Sequence, residues 1–214
     1  MKIENVQTVR IKICGITNTE DAMAAADLGA DAVGFVFASS PRRISPTKAQ
    51  EIIMALPPLV QTVGVFVDED PEKVASTAAL CRLDLVQFHG GESASYCRRF
   101  GQRVIKAVRV QSLEDIKNCP EYSSVVNAFL LDTYIPGQKG GTGRTFDWNL
   151  ALEAKQYGPI ILAGGLDPEN VAEAIGAVKP YAVDASSSLE QEPGIKDHEK
   201  MARFIQTVRQ AAGR

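Results

Sequence analysis

From residue 9 onward, short apolar runs rich in β-branched residues alternate with longer stretches of helical periodicity, and nothing interrupts the alternation. The strand-like runs fall at 9–14, 31–37, 62–67, 85–88, 104–108, 128–132, 160–163 and 181–184. Helix signals lie between them. Thr17-Asn18-Thr19-Glu20 has the spacing of a capping box, Gly29 suits a helix C-terminus, Ser45-Pro46 and Asp70-Pro71 open helices, and Pro57-Pro58 ends one. A fourth helix is expected to end at Gly101, a short fifth to break near Pro120, and later ones to start at Asp147, Asp167-Pro168 and Asp197. Eight strand–helix pairs in 214 residues predict an α/β chain folded as a single (β/α)8 TIM barrel over 1–214, with residues 1–8 a short N-terminal extension. An open doubly wound sheet is the alternative. Against it, no GxGxxG follows the first strand and no Walker A sequence occurs.

The formal charge of −3 gives no footprint for nucleic acid. Four cysteines, at 14, 81, 97 and 119, lack CxxC spacing, and with only two histidines no metal site is expected. No run approaches the ~18 apolar residues of a membrane span, and no apolar leader is visible, so a cytoplasmic chain with reduced thiols and no membrane partner is expected.

Barrel enzymes place their chemistry where inward-facing residues reach the carboxyl ends of the strands. Polar residues in these otherwise apolar strands are therefore informative: Lys12 and Cys14 on one face of the first strand, Gln87 and His89 at the fourth, Lys106 in the fifth, Asp132 ending the sixth, and Asp184 with Ser186 at the eighth. Each has a plainer reading. Cys14 suits a core as a small hydrophobe, His89 suits a hydrogen-bonded packing role, and Lys12 and Lys106 suit ion pairs with Asp132 or Asp184. Arg42, in a long loop at the mouth, is either a solvated charge or an anion clamp. Gly140-Gly141-Thr142-Gly143, Gly164-Gly165 and Ser186-Ser187-Ser188 follow strands six, seven and eight, and the last two of these positions are where barrels bind phosphate. Asp184, beside that site, reads as an orienting group. The residues by themselves thus point to a cofactor-free barrel enzyme that acts on a sugar phosphate by proton transfer.

The stretches Lys12-Ile13-Cys14-Gly15-Ile16-Thr17, Ser40-Pro41-Arg42, Gln87-Phe88-His89-Gly90, Leu130-Leu131-Asp132, Leu162-Ala163-Gly164-Gly165 and Val183-Asp184-Ala185-Ser186-Ser187 together resemble the phosphoribosylanthranilate isomerases of tryptophan biosynthesis. The resemblance implies a cofactor-free Amadori rearrangement of phosphoribosylanthranilate; the sequence leaves the chain open to working as a monomer or homodimer. The resemblance also implies Asp132 as general acid, Cys14 as general base and Arg42 as the group that holds the anthranilate carboxylate. The acid must keep a proton that a carboxyl of pKa ~3.9 loses at neutral pH, and the base must be a thiolate although thiols ionise near ~8.5. Lys12, one pleat from Cys14, is expected to lower the thiol pKa. Gly141, Gly164, Gly165, Ser186 and Ser187 are expected at the substrate, with Lys12, His89, Lys106 and Asp184 in support. Ser188 stands where the family commonly has Gly. Two other readings remain: a related sugar-phosphate barrel, of the indole-glycerol-phosphate synthase or histidine-pathway isomerase type, and a non-catalytic binder of a phosphorylated ligand.

Overall fold

In a computed structural model of the chain, residues 8–132 and 148–213 are described. Eight parallel strands close into a barrel in chain order: β1 (Arg10–Cys14), β2 (Ala32–Val36), β3 (Gln61–Phe66), β4 (Leu85–Phe88), β5 (Arg103–Arg109), β6 (Ala128–Asp132), β7 (Ile160–Ala163) and β8 (Ala182–Ala185). The ring closes between β1 and β8, where Lys12 lies in register with Asp184. Helices α1 (Thr19–Asp27), α2 (Pro46–Ala55), α3 (Pro71–Cys81), α4 (Ala94–Cys97), α5 (Leu113–Ile116), α6 (Cys119–Tyr122), α7 (Trp148–Ala154), α8 (Val171–Val178) and α9 (His198–Ala212) cross between strands or complete the outer layer. The starts at Ser45, Asp70 and Asp197 follow the expected chemistry, while the first helix is capped by Asn18, one residue beyond Thr17 of the expected capping box. The side chains of Asn18, Ser45, Asp70 and Asp197 each accept from a first-turn backbone N–H.

Two apolar layers result from strand parity. Ile11, Ile13, Phe35, Phe88, Phe129, Leu131 and Val183 face the helices. A smaller cluster, including Val63, Ile105, Ala107, Leu130, Ile161 and Ala182, fills the barrel itself. Ala107, Ala128, Ala163 and Ala182 in this cluster leave room for the long polar side chains of Lys12 and Gln87, which are also buried.

Several expectations are corrected. The helix expected to reach Gly101 is the single turn α4, because Tyr96 and Phe100 close over Phe88 with ring centroids at 5.2 and 5.0 Å and already cover the strand. The helix after β7 starts at Val171 rather than at Asp167, whose carboxylate accepts from the N–H groups of Glu169 and Asn170 and so caps the preceding turn. After β8 the chain makes an unforeseen antiparallel pair, β9 (Glu190–Glu192) and β10 (Ile195–Lys196). The expected cap at Asp147 lies outside the described residues.

Candidate active site

At the carboxyl end of β1, Lys12 and Cys14 both turn into the barrel. A Cβ added to Gly34 of β2 would lie 2.7 Å from the Cys14 Sγ and 3.2 Å from the Lys12 Cε, so only glycine leaves these side chains their space. Lys12 is 3% exposed and its Nζ donates to Asp184 Oδ1 at 2.7 Å. Burial by itself pulls the Lys12 pKa down, but the charge and hydrogen bond of Asp184, with Cys14, carry it to about 12. The thiol goes the other way from expectation. Burial pushes the Cys14 pKa above its ordinary 9.0, Asp184 adds to the rise, and Lys12 opposes it without reversing it. Lys12 does lower the thiol pKa as anticipated, but its charge is shared with Asp184 and the desolvation of a closed strand end is larger.

Gly15 follows Cys14 with φ +79, and a Cβ there would meet the Arg42 Cδ at 2.7 Å and the Ser186 Oγ at 2.9 Å. The Arg42 stem therefore lies across the strand end. Its guanidinium is not free: Nε and Nη2 each donate to the Glu190 carboxylate at 2.7 Å. The buried Lys196 donates to the same carboxylate at 3.0 Å and to the Ser186 carbonyl at 3.1 Å. A bidentate pair through Nε and Nη2 leaves the Nη1 edge of the fork turned away from Glu190, so Arg42 keeps donors for a second anion. Glu190 and Lys196 escaped the reading of the sequence because they lie in the unforeseen β9–β10 pair. Glu190 is 148 residues from Arg42.

Across the mouth, Asp132 ends β6 on the inner parity. Its Oδ2 lies 3.1 Å from the His89 Nε2, and the His89 Nδ1 lies 3.2 Å from the Gln87 Nε2. A cavity of about 410 Å³ opens beside His89, between the ends of β4 and β5 and the α5–α6 segment.

Lys106 does not join this group. It lies on the helix-facing parity of β5, where its Nζ donates to Glu92 at 2.9 Å and to the Gly90 carbonyl at 2.6 Å. Its counter-charge is Glu92, not Asp132 or Asp184, and its task is to hold the loop after β4. Asp184 has the orienting role expected of it, toward Lys12.

After β7, Gly164 and Gly165 take φ +84 and +70, left-handed values that favour glycine. The Ser186 Oγ donates to the Cys14 carbonyl at 3.0 Å, and Ser187 opens a 3-10 turn over Ser187–Leu189. Ser188 sits within that turn, needs no left-handed angle, and donates to the Leu166 carbonyl, which ties the β8 loop to the β7 loop. Gly141, within the Gly140–Gly143 cluster, lies outside the described residues. Among the described residues, no group of three metal-ligating side chains occurs, and no helix is long and apolar enough to cross a membrane.

The sequence model of the family described as N-(5'phosphoribosyl)anthranilate (PRA) isomerase matches residues 11–207. The N-(5'-phosphoribosyl)anthranilate isomerase of Geobacter sp. (strain M21) is 54% identical over 197 residues, which cover 92% of this chain and 96% of the relative. The crystal structure of phosphoribosyl anthranilate isomerase from Thermotoga maritima superposes with TM-score 0.88 at 47% identity, covering 94% of this chain and 98% of that one. A structure of such an isomerase in complex with reduced 1-(o-carboxyphenylamino)-1-deoxyribulose 5-phosphate superposes with TM-score 0.84 at 45% identity, with the same coverage.

Proposed function

The chain belongs to the N-(5'-phosphoribosyl)anthranilate isomerase family and carries out that isomerisation in tryptophan biosynthesis, and from this premise we propose which of its residues move the protons. Asp132 donates a proton to the furanose ring oxygen O4′. The C1′–O4′ bond breaks with its electrons going to O4′, and the anilinic nitrogen lone pair forms the C1′=N iminium. The Cys14 thiolate then removes the proton at C2′, whose electrons form the C1′=C2′ bond of an enolamine while the iminium π electrons return to nitrogen. Ketonisation moves one proton from O2′ to C1′ and gives the ketose isomer. Both groups then recover their starting protonation through solvent.

The observation that carries this reading is placement. Cys14 and Asp132 both stand on the inner parity at the carboxyl ends of their strands, on opposite sides of the mouth. Arg42 holds the anthranilate carboxylate with the donors Glu190 leaves it. The phosphate lies against Gly164, Gly165, Ser186 and Ser187; the same role expected of Gly141 falls outside the described residues. Lys12, held by Asp184, faces the thiolate as it forms, and His89 faces Asp132. The raised thiol pKa gives a scarce but strong base, since proton abstraction from carbon gains from basicity. Four free, buried thiols support a reducing cytoplasmic setting, in which the chain works as a monomer or homodimer without cofactor or nucleic acid.

The decay of substrate fluorescence tests the assignment. Cys14→Ala and Asp132→Asn are each expected to lower kcat/KM by about 10²–10⁴-fold. Turnover within a few-fold of wild type by either folded variant overturns that residue's role.

A further inference from the structure

Gln87 is the least exposed polar residue described, at 1%. Its Oε1 is the one buried side-chain nitrogen or oxygen without a hydrogen-bond partner among the described residues. In the barrel interior it stands in register between Val65 and Ile105. A methionine would fill nearly the same volume there with no unpaired polar atom, so packing does not account for an amide at this position. The amide makes one hydrogen bond among those seen, from Nε2 to the His89 Nδ1 at 3.2 Å.

An amide nitrogen can only donate, so the His89 Nδ1 must accept, and the single proton of a neutral imidazole then sits on Nε2. That nitrogen faces the Asp132 Oδ2 at 3.1 Å. We propose that Gln87 is a positioning residue for the acid step: it locks His89 in the Nε2-protonated tautomer, so that His89 donates to Asp132 and has no lone pair with which to take the acid's proton. The proton is thereby confined to Oδ1, the carboxyl oxygen that His89 does not occupy. When it passes to O4′ of the substrate, the carboxylate left behind is already met by an N–H. The amide at Nδ1 also opposes a second ring proton, which would turn the pair into imidazolium and carboxylate and leave no carboxylic acid to donate.

This inference rests on Asp132 being the acid, and its test separates the two. The ring nitrogens of the two histidines are followed by ¹⁵N NMR at neutral pH, with His198→Gln to assign them. The wild-type His89 ring is expected to be neutral and protonated at Nε2, and in Gln87→Glu, where an acceptor replaces the donor, protonated at Nδ1. Gln87→Met is expected to lose at least about tenfold in kcat with little change in KM while its thermal midpoint holds or rises, because the unpaired oxygen is gone. A purely structural glutamine would give the reverse, a lower midpoint and an unchanged kcat. A wild-type ring protonated at Nδ1, or a Gln87→Met enzyme turning over at the wild-type rate, overturns the role of Gln87. Full activity in Asp132→Asn would instead remove the acid assignment and leave the ring signals as they are.

Discussion

On the β1–β8 side of the mouth a lysine and a carboxylate pair out of contact with water, with Lys12 3% and Asp184 9% exposed; on the β4–β6 side Asp132 meets His89 and, behind it, the Gln87 amide, and the His89 and Asp132 side chains keep about a fifth of their surface. The cavity beside His89 adds to that openness. The two sides face opposite problems. A base formed by ionising a buried thiol needs a permanent positive charge at hand, because desolvation works against it. An acid must hold a proton and regain it each cycle, and contact with solvent together with a neutral hydrogen-bond partner serves that need better than an ion pair.

Removing the charge from the closed side is the harshest way to break this contrast. Lys12→Met deletes a group that lowers the Cys14 pKa, so kcat/KM is expected to fall by up to about tenfold for each unit the thiol rises, the stronger thiolate offsetting part of its scarcity. It also leaves Asp184 buried without its partner, at about 3–5 kcal/mol of stability. Denaturant unfolding and steady-state kinetics of one variant read both effects.

The rate–pH profile sharpens the contrast without mutation. The active form needs a protonated carboxyl and an ionised thiol. The Cys14 pKa is raised above 9.0, beyond the range of carboxylic acids, so this form is the minor of the two singly protonated states. In such a case kcat/KM is level between the two pKa values, and its alkaline decline reports the thiol. The decline is therefore expected above pH 9, and in Lys12→Met at still higher pH. A decline centred near neutrality would break the assignment of the base.

A smaller effect is expected from Glu190→Gln. The carboxylate of Glu190 is pushed up by burial but held below its ordinary 4.5 by Arg42 and Lys196, so the clamp stands above pH 4.5 and is lost as pH falls through the depressed pKa. With a neutral amide in its place, Arg42 loses its charged anchor, and KM is expected to rise roughly tenfold with a lesser change in kcat, for a loss of about 1.5–3 kcal/mol. Equal loss in both constants would mean that Arg42 acts on the reacting atoms and not on the carboxylate. The smallest effect on catalysis belongs to Lys106→Met. Stability is expected to drop by about 3–5 kcal/mol as Glu92 loses its partner, while kcat/KM of the folded fraction stays within about threefold. A large selective loss of kcat would return Lys106 to the site.

The reading of Lys106 marks where strand pattern stops being informative. In β1, Ile11 and Ile13 alternate with Lys12 and Cys14, and the faces can be told apart. In β5, Val104, Ile105, Ala107 and Val108 are apolar on both parities, as expected of strands covered on both sides, so nothing local says which way Lys106 points. Asp132 was legible because it ends an apolar run, and Gly164-Gly165 because paired glycines at a strand end have few other uses. The helix ends at Ser45, Asp70 and Asp197 were legible, and that at Asn18 to within one residue, because capping is local chemistry. The β9–β10 pair was not, since two and three residues carry no period.

The sequence by itself determined the eightfold strand–helix alternation, the barrel that follows from it, and the inner-face positions of Cys14 and Asp132, because periodicity and end signals act over a few residues. Tertiary structure alone decided which charges meet. Lys12 finds Asp184 at a separation of 172 residues and Arg42 finds Glu190 at 148. It also decided the direction of the Cys14 pKa, because desolvation depends on everything packed around a group, and this thiol is buried at the end of β1 against Gly34 of the neighbouring strand.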